Sequence, residues 1–155
     1  MTGILQKKSN CVFRKFYDLI CQNICKQFRK MEATTIGKIT LVIGASDNEE
    51  RYSNMAVKLL KKYNHEVLAI GNKETFIDNV EVKKGTPVFD NVHTITLYLS
   101  SKNQESLYDY ILSLHPKRII FNPGTENDFL VNLAKEKGIE TIEACTLVML
   151  KTNQY

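Results

Sequence analysis

The stretch KITLVIGASDNEERYSN, residues 38–54, joins an unbroken strand-like run to a glycine turn and a helical pattern. Ile39–Ile43 contains only β-branched residues and leucine, which is typical of a strand buried on both faces of a parallel sheet. Gly44 permits a tight turn, and the small side chains of Ala45 and Ser46 let backbone amides approach a phosphate at a helix N-terminus. The stretch therefore predicts the strand, turn and helix of a nucleotide-binding unit.

Similar strand patterns recur along the rest of the chain. Between residues 72 and 92 the signals are weak and favour only a short edge strand, at residues 80–83, and a turn. With that edge strand included, the further predicted strands span residues 65–70, 80–83, 94–99, 118–121 and 140–144.

Helical patterns separate these strands. Ser53 is predicted to cap the first helix, and Ser101 with Gln104 matches a capping box at the start of the second. A third helix is predicted to end at Gly138, and residues 145–151 favour a closing helical turn. The third helix directs four apolar side chains inward: Phe129, Leu130, Leu133 and Ala134.

Strands that alternate with helices of this length imply a parallel sheet covered on both faces, with right-handed crossovers. We therefore predict an α/β fold with a single Rossmann-like, doubly wound domain over residues 37–155. In such sheets the ligand binds at the carboxyl ends of the strands, where the strand order reverses. If the order is 3-2-1-4-5, the loops after Ile43 and Leu99 bound that crevice.

Residues 1–36 form a separate, basic extension. Residues 1–30 hold seven lysine and arginine residues against Asp18 alone, so they account for the net charge of +4. Apolar residues within 12–31 recur every three or four positions and predict an amphipathic helix. Such a helix would contact a partner protein or an anionic membrane surface. The other interpretation is that the chain starts at Met31 and that the upstream residues have no function.

Composition excludes several classes of protein. The four cysteines, at positions 11, 21, 25 and 145, form no C-x-x-C pair, and the three histidines are scattered, so no metal site or disulfide framework is predicted. No apolar run reaches the roughly 18 residues that a membrane span needs. We expect a cytoplasmic protein that is not integral to a membrane and binds no nucleic acid.

The choice of nucleotide depends on two positions. The second and third glycines of a dinucleotide fingerprint are missing, and Asn48 and Glu49 would crowd the pyrophosphate of NAD or FAD. Lys73 follows the second strand, where an NAD-binding domain usually has an acidic residue. A cation there favours a nucleotide with an additional ribose phosphate, either NADP or coenzyme A (CoA).

Five segments carry a resemblance to a known family: IGASDNEERYSNMAVKLL, HEVLAIGNK, TITLYLSSKNQ, IIFNPGTEN and IEACTLVML. In this order and spacing they resemble the small stand-alone CoA-binding domain proteins. These proteins are related to the CoA-binding N-terminal domain of the succinyl-CoA synthetase α subunit. The resemblance covers residues 38–155 and implies a Rossmann-like fold that holds CoA, or an acyl-CoA, in the crevice described above.

The resemblance also implies which residues surround the ligand. The turn at 44–46 would face the CoA phosphates with residues 51–53 beside it, and the residues after the second strand would receive the adenosine end and its 3′-phosphate. The remaining wall would come from the loops after the third strong strand and after residue 121. The implied site comprises Gly44, Ala45, Ser46, Arg51, Tyr52, Ser53, Asn72, Lys73, Tyr98, Ser100, Asn122, Pro123 and Gly124.

The sequence favours a binding protein over an enzyme. Hydride transfer needs a second lobe over the nicotinamide, for which 155 residues leave no room. Cys145 is a candidate nucleophile but is more typical of a structural cysteine. Glu126 and Asp128 could form a carboxylate pair, although Thr125–Asn127 could equally complete the start of the following helix. A small NADP-linked or acyl-transfer enzyme remains the alternative.

Overall fold

A computed structural model describes residues 37–155. The amphipathic helix predicted within residues 12–31 therefore lies outside the described residues, and the proposed boundary between residues 36 and 37 remains a prediction. Within 37–155, no helix is long and apolar enough to cross a membrane.

The described residues contain seven strands and five α-helices, with a single 3₁₀ turn at Glu105–Leu107. The strands are β1 (Thr40–Ala45), β2 (Val67–Gly71), β3 (Thr75–Ile77), β4 (Val80–Lys84), β5 (Thr94–Leu97), β6 (Arg118–Phe121) and β7 (Glu140–Glu143). The helices are α1 (Tyr52–Lys62), α2 (Ser101–Gln104), α3 (Tyr108–Ser113), α4 (Asp128–Glu136) and α5 (Thr146–Lys151).

The strands form a single sheet in the order β3-β4-β2-β1-β5-β6-β7. All neighbouring strands are parallel except β3 and β4, which form an antiparallel pair. From β1 the chain crosses first to β2 on one side and later to β5 on the other, so the strand order reverses between β1 and β5. The predicted Rossmann-like fold and its switch point are confirmed.

Apolar side chains cover both faces of this sheet because β1 alternates between them. Leu41 and Ile43 join one cluster with residues of α3 and α4, whereas Val42 joins a second cluster with residues of α1 and α5. Four of the residues in β1 are fully buried and a fifth nearly so. Burial on both faces explains why the β1 sequence is an unbroken run with no alternation of apolar and polar residues.

Two predictions, one about an edge strand and one about the buried face of α4, are wrong. The segment predicted as an edge strand is β4, which pairs with β2 on one side and with β3 on the other. The edge on this side of the sheet is β3, and its three residues are too few to show a strand pattern in the sequence. Phe129, predicted to point inward from α4, is 62% exposed, because the buried face of α4 runs through Leu130 and Ala134.

The two predicted caps are also wrong. The N-cap of α1 is Arg51, and Ser53 lies inside the first turn, where it is buried. The N-cap of α2 is Ser100, and neither α1 nor α2 has a side-chain hydrogen bond from its N-cap residue. Gln104 does not turn back toward Ser101; its amide instead donates to two backbone carbonyls outside the helix.

Candidate functional site

A cleft of about 580 Å³ opens at the carboxyl ends of the parallel strands, over the switch point between β1 and β5. This volume is within the usual range for small-molecule sites. Twelve of the thirteen sequence-predicted residues line it: Gly44, Ala45, Ser46, Arg51, Tyr52, Ser53, Asn72, Lys73, Tyr98, Ser100, Pro123 and Gly124. Five further residues complete the lining, namely Asp47, Thr75, Leu99, Asn103 and Thr125.

Gly44 shapes the floor of the cleft. Its φ of +91° is in the left-handed region, and a Cβ at this position would lie 2.9 Å from the carbonyl oxygen of Tyr98. The same Cβ would lie 2.9 Å from Leu99 Cδ2. A side chain at position 44 would therefore both strain the backbone and force apart the ends of β1 and β5.

The N-terminus of α1 opens into the cleft. Arg51, Tyr52 and Ser53 all line it, and α1 is 11 residues long, so its first-turn amides carry the positive end of an extended helix dipole. No side chain caps this end within the described residues, and the first turn contains no acidic residue. Helix ends of this kind bind anions through their backbone amides.

Two cationic side chains border the cleft, and they differ in their partners. Among residues 37–155, Arg51 forms no ion pair, whereas Lys73 Nζ lies 2.8 Å from Asp47 Oδ2. Hydrogen bonding to the Lys73 ammonium lowers the pKa of Asp47. The Lys73 predicted to attract a ribose phosphate is therefore already paired with a carboxylate of the neighbouring loop, which follows β1.

Tyr98 lines the cleft and packs against the second apolar cluster, and its hydroxyl is buried. The hydroxyl has no hydrogen-bond partner among the described residues. Burial raises the pKa of Tyr98 far above its ordinary value. Burial therefore strengthens the ordinary preference of the phenol for its protonated form.

Gln104, which the sequence did not identify as part of the site, joins two walls of the cleft from beneath. It is fully buried, and its amide nitrogen donates to Leu99 O at 2.8 Å and to Thr125 O at 2.7 Å. Its amide oxygen accepts from Asn127 Nδ2 at 2.9 Å. A buried glutamine with these three bonds determines the separation of the loops after β5 and β6.

Asn122 is the one predicted site residue that does not line the cleft. It is 4% exposed, and its amide donates to Thr96 Oγ1 and Leu97 O while accepting from the backbone amide of Thr146. Its hydrogen-bonding groups are thus used to connect β5, β6 and α5. Asn122 positions the neighbouring Pro123 and Gly124, which do reach the cleft.

The candidate catalytic residues are not among those that line the cleft. Cys145 is the N-cap of the six-residue helix α5, and neither it nor Glu126 or Asp128 borders the cleft. Both carboxylate oxygens of Glu126 accept from the Gly124 amide, at 2.8 and 3.0 Å. Within residues 37–155, no group of three or more His, Cys, Asp or Glu residues is placed to hold a metal ion.

The fold and the cleft define a Rossmann-like domain with a helix N-terminus, uncapped by any side chain of the described residues, beside its switch point. The family model described as a CoA binding domain matches residues 38–151. The chain belongs to this CoA-binding family, so the resemblance seen in the sequence is confirmed. No curated protein matches the chain.

Similar solved structures support the same fold. A crystal structure of an uncharacterized protein is 44% identical, with a TM-score of 0.75, and the match covers 77% of this chain and 98% of that one. A hypothetical protein from Pyrococcus horikoshii OT3 is 21% identical, with a TM-score of 0.67 and coverages of 82% and 89%. A Thermus thermophilus protein is 18% identical, with a TM-score of 0.68 and coverages of 77% and 91%.

Proposed function

We propose that this protein binds CoA or an acyl-CoA in the cleft at the carboxyl ends of the strands and catalyses no reaction itself. The observation that carries the proposal is the open N-terminus of α1. This 11-residue helix begins at the cleft, and among the described residues its N-terminus has neither a side-chain cap nor a first-turn acid. A phosphate of the ligand would supply the negative charge that this helix end lacks.

The residues around the N-terminus of α1 also suit a bound phosphate. Ala45 and Ser46, which follow the Gly44 turn, line the cleft with small side chains that leave room for an anion. Arg51 is the N-cap residue, and it has no carboxylate partner among residues 37–155. We assign the pyrophosphate of CoA to this corner, bordered by Tyr52 and Ser53.

The adenosine end is assigned to the loop after β2. Asn72 and Lys73 line this side of the cleft, and Lys73 is the cation available to the 3′-phosphate that distinguishes CoA from dephospho-CoA. The opposite wall, formed by Tyr98, Ser100, Pro123 and Gly124, would then contact the pantetheine part of the ligand.

The absence of catalysis is proposed from the groups at the cleft. Burial raises the pKa of Tyr98 and so favours its protonated form, and Cys145, the candidate nucleophile, lies outside the lining. The charged groups that do line the cleft are Asp47, Arg51 and Lys73, of which two form an ion pair. This arrangement fits anion binding better than acid-base or nucleophilic chemistry.

Isothermal titration of the full 155-residue chain with CoA, dephospho-CoA, NADPH and NADH tests the proposal. We expect CoA to bind most tightly, and Lys73→Ala to weaken CoA binding about fivefold with little effect on dephospho-CoA. Lys58→Ala is the matched control, because Lys58 is an exposed lysine on α1 that does not line the cleft.

Two other results would contradict the proposal. Preference for NADPH over CoA would favour the NADP-linked alternative, and no binding to any of the four would leave only the fold. For catalysis, incubation with acetyl-CoA should leave the thioester intact. Hydrolysis or acyl transfer that disappears in Cys145→Ala would identify an acyl-transfer enzyme instead.

A further inference from the structure

The ion pair between Asp47 and Lys73 joins the loops that follow the neighbouring strands β1 and β2. Asp47 follows β1 and Lys73 follows β2, and both side chains line the cleft. The Nζ to Oδ2 distance is 2.8 Å, which is a close, hydrogen-bonded contact for an ammonium and a carboxylate. The pair therefore engages Lys73, the cation assigned to the adenosine end of the ligand.

The pair is accessible to a ligand. The Lys73 side chain is 68% exposed and that of Asp47 is 37% exposed, so neither group is committed to the core. An exposed pair of this kind contributes little to stability and can exchange partners readily. A phosphate dianion beside Lys73 would offer the ammonium a stronger partner than the carboxylate does.

We propose that Asp47 determines ribose-phosphate specificity by competing with the ligand's 3′-phosphate for Lys73. This inference rests on the proposed function of the cleft. A ligand that carries the phosphate must displace Asp47 from Lys73 and then lie near an unpaired carboxylate. A ligand without the phosphate leaves the ion pair intact. Asp47 therefore reduces the difference in affinity between CoA and dephospho-CoA.

The same loop provides a control for charge alone. Glu49 lies two residues after Asp47 and pairs with Lys58 at 2.6 Å, but neither residue of that pair lines the cleft. Glu49→Gln and Asp47→Asn therefore remove the same charge from the same loop. Only the second substitution frees a cation that lines the cleft.

Calorimetric titration of the full chain with CoA and dephospho-CoA tests the inference. Asp47→Asn should lower the Kd for CoA about fivefold and change that for dephospho-CoA less than about twofold. Glu49→Gln should change the Kd ratio of the two ligands less than about twofold. In a Lys73→Ala background, Asp47→Asn should no longer increase the preference for CoA, because the contested cation is gone.

The outcomes separate this inference from the proposed function. If the wild type binds CoA but Asp47→Asn leaves the ratio of the two Kd values unchanged, the specificity role of Asp47 is wrong and the CoA site stands. Weaker binding of both ligands by Asp47→Asn would also refute it, because Asp47 would then be a direct contact. If neither wild type nor Asp47→Asn binds CoA, both proposals fail.

Discussion

Helices α1 and α4 both begin at the carboxyl edge of the sheet, yet their N-termini are completed in opposite ways. At α4 the Asn127 side chain accepts from the Leu130 amide at 3.2 Å, and Asp128 adds a negative charge in the first turn. At α1 neither a side-chain cap nor a first-turn acid is present among the described residues, and the end faces the cleft. One helix end is satisfied by the chain itself, whereas the other is left open to a ligand.

The comparison also explains where polar groups are concentrated. Around α4, Asn127 donates to Gln104 Oε1 and to Tyr108 Oη, and Gln104 in turn holds the loops after β5 and β6. The polar groups at α4 therefore stabilise the cleft wall. Around α1, the side chains of Arg51 and Tyr52 form no hydrogen bond or ion pair with another of the residues 37–155 that the structure describes, and both line the cleft.

The largest expected difference between the two helix ends is in stability. Asn127→Ala removes the side-chain cap of α4. It also leaves the amide oxygen of the fully buried Gln104 without the hydrogen bond that Asn127 donates. The free energy of unfolding should therefore fall by about 2–3 kcal/mol. Arg51→Ala, at the N-cap of α1, should change it by less than ~0.5 kcal/mol. Urea denaturation of both variants measures the contrast, and equal losses would show that the two ends do not differ in this way.

The strong features of the fold could be predicted because their signals are local. The apolar run of β1 and Gly44 are adjacent in sequence. Burial on both faces of the sheet accounts for the run, and the left-handed backbone of the turn accounts for the glycine. The predicted order of β1 and the later strands placed the cleft between the loops after Ile43 and Leu99, and the structure has the cleft there.

What the sequence did not reveal depends on contacts between distant residues. Gln104 resembled half of a capping box, because its partners Leu99 O and Thr125 O are recognisable only once two loops meet. Asn122 stood beside lining residues in sequence, but its amide faces Thr96 and Thr146 in the interior. The pairing of Lys73 with Asp47 likewise requires the loops after β1 and β2 to be adjacent.

The second expected difference concerns charge at the open end of α1. Tyr52 is the first residue of the helix and is 71% exposed, so a carboxylate introduced there would interact favourably with the helix dipole. Tyr52→Glu should stabilise the ligand-free protein by about 0.5 kcal/mol relative to Tyr52→Gln. The same charge should weaken CoA binding about tenfold relative to the glutamine variant, because it would compete with the phosphates.

Thermal denaturation and calorimetric titration of these two variants separate the effects. Because glutamine and glutamate have nearly the same shape, any loss of contact with the tyrosine ring is common to both variants. Tighter binding of CoA by Tyr52→Glu than by Tyr52→Gln would mean that no ligand anion approaches the end of α1.

The smallest expected effect is at the loop that leads into α4, where Glu126 accepts twice from the Gly124 amide. Hydrogen bonds from the backbone amide of Glu126 itself and from that of Gly124 lower the pKa of the Glu126 carboxyl group. Because the charged form is the one that is bonded, its contribution to stability is complete above the ordinary glutamate pKa. That contribution is lost as the pH falls through the lowered value. Glu126 is fully exposed to solvent, so we expect only a small change in stability.

Nuclear magnetic resonance titration of the Glu126 carboxyl group measures this shift directly. We expect a midpoint below the usual glutamate value of about 4.3, with the Gly124 amide resonance moving at the same pH because it is the donor. In Glu126→Gln the Gly124 transition should disappear. If CoA is added, the midpoint should change little, because Glu126 does not line the cleft and its amide donor is already engaged. A large ligand-induced rise would mean instead that the ligand takes the Gly124 amide from Glu126, which would make this loop a second exchangeable contact beside Lys73.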